Sequence, residues 1–129
     1  MRVKKKICVI DDDEIYQMIM KRLIGKVNVF EGIQQFCKAI AALEELKDLS
    51  RVLPDVILLD INMPEMDGWQ FIEELRKERP GFEKETKVYI VTSSIAQSDR
   101  TRARSYTEIT DFLSKPIKVH QLRSIAENL

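Results

Sequence analysis

Val56 to Gly68 reads VILLDINMPEMDG, and the fold turns on how that stretch is understood. Four apolar residues, Val56 to Leu59, run unbroken into Asp60, and the chain then turns through Pro64 and Gly68. A run this short, bounded by turn residues, reads as a buried strand. A carboxylate at the tip of such a strand costs free energy to desolvate, so it needs a partner or a task.

Similar runs recur along the chain. Ile7–Ile10, Val27–Phe30, Val88–Val91 and Asp111–Leu113 read as four more strands. Between them lie helical patterns. Ile15, Met18, Ile19, Arg22 and Leu23 repeat at helical spacing up to Gly25. Phe36, Ala39, Ile40, Leu43 and Leu46 form a second stripe, and Phe71, Ile72 and Leu75 a third, ended by Pro80-Gly81. Residues 98–106 make a polar fourth helix, and Val119, Leu122, Ile125 and Leu129 give a fifth. Five strands alternating with five helices predict an α/β fold with a doubly wound parallel sheet covered on both faces. No linker or repeat divides the 129 residues, so one domain over 1–129 is expected.

Composition narrows the function. Lys+Arg and Asp+Glu are equal at 21 each, which argues against general attraction to nucleic acid or an acidic membrane. Arg2, Lys4, Lys5 and Lys6 precede the first strand and read as a solvated basic end. Cys8 and Cys37 form no disulfide framework or CxxC site and read as buried, reduced thiols. No apolar run reaches membrane-spanning length and no signal-peptide pattern is present, so a cytoplasmic protein is expected.

In open parallel sheets, ligands bind beyond the carboxyl ends of the strands. Asp11, Asp12, Asp13 and Glu14 follow the first strand, and Asp60 follows the third. Thr92, Ser93 and Ser94 follow the fourth, and Ser114, Lys115 and Pro116 the fifth. Several carboxylates, a hydroxyl and one ammonium therefore gather at one edge. Carboxylates that outnumber the lysine call for a hard divalent cation, Mg²⁺ or Mn²⁺. A carboxylate beside such an ion stays ionised and can attack phosphorus. An EF-hand is excluded, because Glu65 stands where that loop needs glycine. The four glycines form neither GxGxxG nor GxxxxGKS, which counts against a nucleotide-using enzyme or small Mg²⁺-dependent phosphatase.

VIDDDE (9–14), LLDINMPEMDG (58–68), VTSS (91–94) and FLSKPI (112–117) stand in one order at strand ends. With these four pieces the chain resembles the receiver domains of two-component response regulators, from about Lys6 to Asn128. The resemblance implies a flavodoxin-like sheet of order 2-1-3-4-5. It implies Asp60 as the phosphoacceptor, with Asp12 a direct and Asp11 a partly water-mediated metal carboxylate. Asn62 would offer the metal its backbone carbonyl, Thr92 would bond a phosphoryl oxygen, and Lys115 would form the ion pair. Pro116 would follow a cis bond, and Phe112 would be the aromatic switch that follows Thr92. Asn62 and Ser94 would set a phosphoryl lifetime of minutes rather than days. Two alternatives stay open: Ser93 in the hydroxyl role, and Asp12-Asp13 as the acidic pair. The spacing from Thr92 to Lys115 holds one residue more than the family's commonest, placed at Tyr106–Thr110.

The implied function is a stand-alone receiver without an output or DNA-binding domain. A histidine kinase or phosphotransfer protein would donate the phosphoryl group. A downstream protein would read the face of helix four, strand five and helix five, where Arg100, Arg102 and Arg104 lie. The receiver would be a monomer or a weak phosphorylation-dependent dimer, and not an enzyme on external substrates. A phosphate sink or relay, or a scaffold that works without phosphorylation, are the competing expectations. His120 reads as an exposed helix residue, and Trp69 as partial packing on helix three.

Overall fold

The computed structural model describes residues 5–93 and 96–129. Five strands, β1 (Lys5–Ile10), β2 (Phe30–Phe36), β3 (Val56–Leu59), β4 (Lys87–Thr92) and β5 (Ile109–Ser114), alternate with five helices. The helices are α1 (Glu14–Val27), α2 (Ala39–Leu46), α3 (Gly68–Glu78), α4 (Gln97–Ala103) and α5 (Val119–Glu127), with a 3-10 turn at Phe82–Lys84. The strands lie in the order β2-β1-β3-β4-β5, and each neighbouring pair is parallel.

The sheet divides the core in two because side chains alternate across a strand. Ile7, Val9, Val56, Leu58, Tyr89 and Val91 pack with Met20 and Ile24 of α1 and Leu122 and Ile125 of α5. Cys8, Ile10, Ile57, Leu59, Val88 and Ile90 pack with Ala42 and Leu46 of α2 and Phe71, Ile72 and Leu75 of α3. The central strands are buried on both faces, hence their unbroken apolar runs.

Several expectations are corrected. β2 is Phe30–Phe36 rather than Val27–Phe30. It is an edge strand with a half-exposed burial pattern, so it carries Glu31, Gln34 and Gln35 and lacks an apolar signature. α1 runs through Gly25 and ends only at Val27, where Asn28 adopts a left-handed conformation at φ 54°. Glycine costs a helix about 1 kcal/mol, and burial of Ile24 and Val27 on either side offsets it. Phe36 consequently ends β2 and does not begin α2.

α1 also faces the other way. Its buried residues are Tyr16, Gln17, Met20, Ile24 and Val27, while Ile15, Met18 and Ile19 are exposed. Both sets repeat at helical spacing, and the polar Gln17 disguised the inward one. Cys8 is buried as expected, but Cys37, in the turn between β2 and α2, is exposed. Trp69 is more than partly packed, at 3% exposure.

The β4–β5 ladder steps over Thr110, pairing Val88 with Ile109 and Tyr89 with Asp111. A one-residue bulge there absorbs an extra residue and still lets Thr92 face Ser114.

Candidate functional site

The strand ends are held level by hydrogen bonds that continue the ladders past the last paired residues. Asp11 N–H donates to Phe36 O at 3.0 Å, and Asp60 N–H to Ile10 O at 2.9 Å. Lys115 N–H donates to Thr92 O at 3.0 Å. Asp11, Asp60, Thr92 and Lys115 thus lie along one edge of the sheet, and the Lys115–Pro116 peptide is cis.

Gln17 locks this edge to α1. Its Nε2 lies within 3.1 Å of the Val9, Asp11 and Phe36 carbonyl oxygens, and Gln35 Nε2 donates to its Oε1 at 2.8 Å. Gln17 is a polar residue between Tyr16 and Met18, and periodicity alone does not mark it as buried.

Each aspartate of the triple has a separate place. Asp13 caps α1, accepting from Ile15 and Tyr16 N–H at 3.0 and 3.1 Å. Asp11 is 2% exposed and accepts from Asp13 N–H at 2.9 Å. Asp12 is exposed at the mouth. Among the described residues, Asp11, Asp12 and Asp60 each bring a carboxylate oxygen within 4.8 Å of the others, and Asp13 is not of this group.

Lys115 Nζ meets Asp11 Oδ2 at 2.6 Å and lies 4.4 Å from the centre of the Tyr16 ring. Asp60 is buried, its Oδ1 accepting from Ile61 N–H at 2.9 Å. Burial first, and then the neighbouring Asp11 carboxylate, push its carboxyl up to about 6, with Lys115 opposing and Asp12 adding to the rise. One lysine therefore does not neutralise three carboxylates. This deficit, oxygen-only donors and their close spacing fit a hard divalent cation.

The turn after β3 brings α3 against the site. Gly68 is buried, and a β-carbon there would stand 2.6 Å from Asp60 O and 3.1 Å from Ile61 Cα. Only glycine lets α3 start so close. Asp67 and Gln70 complete a capping box at that helix start.

Thr92 is buried at the end of β4, and Phe112 is half-buried on β5, packed against the α2–α3 side of the core. Asn62 is exposed two residues beyond Asp60, Ser93 is exposed beside Thr92, and His120 is exposed on α5. Ser94, Arg2 and Lys4 lie outside the described residues.

The family model described as response regulator receiver domain matches residues 7–127. A protein-glutamate methylesterase/protein-glutamine glutaminase of Treponema denticola is 35% identical over 115 residues, 86% of this chain and 28% of that protein. The chain thus spans less than a third of that relative's length. A two-component response regulator from Cytophaga hutchinsonii superposes with a TM-score of 0.86 at 27% identity, covering 98% of this chain and 97% of the other. The receiver domain of a sensor histidine kinase from Pseudomonas aeruginosa, crystallised with magnesium in its active-site cleft, superposes with a TM-score of 0.79. At 21% identity over 98% and 97% of the two chains, that likeness bears on the fold.

Proposed function

The chain belongs to the response regulator receiver family, and on that premise we propose that it accepts a phosphoryl group on Asp60 from a phosphohistidine of a histidine kinase or phosphotransfer protein. The observation that carries this reading is the convergence of Asp11, Asp12 and Asp60 within 4.8 Å, with Lys115 the ammonium at their side.

An Asp60 carboxylate oxygen attacks phosphorus, a P–O bond forms, and the P–N bond to the donor imidazole breaks. Lys115 balances charge on one phosphoryl oxygen, and the Thr92 hydroxyl donates to another. Asp11, Asp12, Asp60 and the Asn62 backbone carbonyl would hold Mg²⁺, or Mn²⁺ in its place. When bound, the ion supplies positive charge to the transferred oxygens. Water later cleaves the acyl phosphate, at a rate to which Asn62 and Ser94 contribute by family analogy. The turnover is thus the protein's own phosphorylation and dephosphorylation.

The response follows from what the phosphoryl group draws towards it. Thr92 moves to the new oxygens and Phe112 repacks, which changes the α4–β5–α5 face for a protein partner. Residues 1–129 are read as a single receiver unit acting in the cytoplasm, so its output within these residues is a binding change. Among the described residues, no helix is long and apolar enough to cross a membrane.

The donor's docking place is suggested by α1. Ile15, Met18 and Ile19 are 71%, 59% and 53% exposed in the turns that follow Asp11–Asp13. An apolar face beside the acidic mouth suits a helix that carries the phosphohistidine. Ile19→Lys should slow transfer from a phosphorylated histidine phosphotransfer protein at least about tenfold, a loss of roughly 1.4 kcal/mol or more. It should leave acetyl phosphate labelling unchanged. Equal loss with both donors would contradict docking there.

The acceptor itself is tested by borohydride trapping after acetyl phosphate treatment with Mg²⁺. Conversion of residue 60 to homoserine is expected, and its loss on adding a chelator. Trapping at another residue would overturn the reading.

A further inference from the structure

Tyr16 stands against the site, although phosphoryl transfer itself asks nothing of its phenol. It lies on the inward face of α1, 9% exposed, in the buried cluster that also holds Val9, Val91 and Ile117. A side chain buried in a close-packed core has little freedom to move. In front of it sits the Lys115 ammonium, 4.4 Å from the ring centre. The lysine side chain is 17% exposed, so little water remains to solvate it.

Lys115 has a difficulty built into its task. In the unphosphorylated protein its ammonium is paired with Asp11 at 2.6 Å. If Asp60 takes a phosphoryl group, the anion that needs this ammonium lies on another strand. Lysine is a compact charge on a flexible four-carbon stem, and nothing in the stem holds it through that exchange. An aromatic face attracts a cation without being an anion, so it holds the ammonium without competing with either carboxylate. Burial, and then the Asp11 and Asp60 carboxylates, raise the Tyr16 phenol above its ordinary value, which keeps the ring neutral. The hydroxyl has no hydrogen-bond partner among the described residues.

We propose that Tyr16 is a positioning residue that acts through Lys115. Its ring is a fixed seat that keeps the ammonium at the site while its partner changes from Asp11 to the group on Asp60. The proposal rests on the phosphoacceptor reading and adds a residue to it.

The test uses beryllofluoride with Mg²⁺ as the phosphoryl probe, on the wild type, Tyr16→Phe, Tyr16→Leu, Lys115→Met and Tyr16→Leu combined with Lys115→Met. Tyr16→Leu should weaken probe binding about 3- to 30-fold, because an ammonium no longer held at the site must be ordered again when the probe binds. Tyr16→Phe, which keeps the ring, should bind as the wild type does. With Lys115→Met already present, Tyr16→Leu should cost nothing more, since the ring then has no ammonium to seat. A further measurement needs no variant. The Lys115 ε-methylene protons in ¹³C-lysine-labelled wild type should stay shifted upfield by the ring, without the probe and with it.

Wild-type affinity in Tyr16→Leu would overturn the proposal. So would an equal loss in the Lys115→Met background, or disappearance of the ring shift when the probe binds. A wild type that takes neither beryllofluoride nor a phosphoryl group would overturn the acceptor reading and this one together. A normal wild-type adduct with any of the preceding results overturns this one alone.

Discussion

At the scale of single residues, Asp60 shows how a buried carboxylate lowers the stability of the fold that holds it. Its carboxyl is raised from an ordinary 3.8 to about 6 by burial and by Asp11. Between those values the folded protein keeps a proton that the unfolded chain has lost. Stability therefore falls as pH rises through that window, and the cost is fully present above it. Asp60→Asn should be more stable than the wild type by about 1–3 kcal/mol near pH 7.5 in chelator, because each tenfold change in proton affinity is worth roughly 1.4 kcal/mol. Near pH 3.5 the difference should vanish, and urea denaturation at the two pH values would show it. A constant difference would mean that the charge is not its source. Gly68 is the other residue on which the site depends. Gly68→Ala places a methyl 2.6 Å from the Asp60 carbonyl oxygen, and such overpacking costs about 1–3 kcal/mol. Circular dichroism melts should show that loss, and a melt like the wild type's would mean that α3 simply shifts aside.

At the scale of elements, α3 is tied to the segment between α4 and β5 by stacked rings and charges. Arg76 of α3 donates to both carboxylate oxygens of Glu108, at 2.6 and 2.9 Å, and lies 5.4 Å from the Tyr106 ring. Tyr106 packs on Trp69 at 5.2 Å and donates to Glu73 at 2.9 Å, and Arg102 of α4 covers Trp69 at 4.8 Å. Part of the Arg-rich surface of α4 is therefore engaged within the molecule. Glu108 is 4% exposed, and its bonds to Arg76 hold its carboxyl below the usual range. Its contribution is present above the unfolded value near 4.5 and is lost as pH falls through the lower folded value. Arg76→Leu strands a buried carboxylate, so it should cost about 2–4 kcal/mol near neutral pH. Below about pH 4 the penalty should shrink. A penalty independent of pH in urea titrations would assign the loss to packing on Tyr106 instead of to the ion pair.

At the scale of the whole molecule, strands buried on both faces were the most fully legible ones, and the edge strand β5 was legible only over Asp111–Leu113 of Ile109–Ser114. Ile7–Ile10, Val56–Leu59 and Val88–Val91 carry continuous apolar runs, because the sheet hides them from water on either side. β2 was misplaced for the opposite reason: an edge strand keeps half its surface wet, and its Gln34 and Gln35 leave no pattern. The inward face of α1 was lost because an exposed stripe of Ile15, Met18 and Ile19 has the same period as the buried one. The candidate site was legible as strand-end chemistry, since Asp11, Asp60, Thr92 and Lys115 each stand at the end of a strand. Gln17 and Tyr16 were not, because their tasks depend on what lies across α1 and leave no spacing in the chain. What joins the scales is a charge deficit at the edge of the sheet, where three carboxylates face one ammonium.

Whether that deficit serves phosphoryl transfer is decided by intact mass after acetyl phosphate treatment, with and without Mg²⁺, on the wild type and Asp60→Ala. One added phosphoryl group is expected on the wild type, dependent on Mg²⁺ and absent from the variant. An adduct that survives in Asp60→Ala, or a wild type that gains none, would contradict Asp60 as the acceptor.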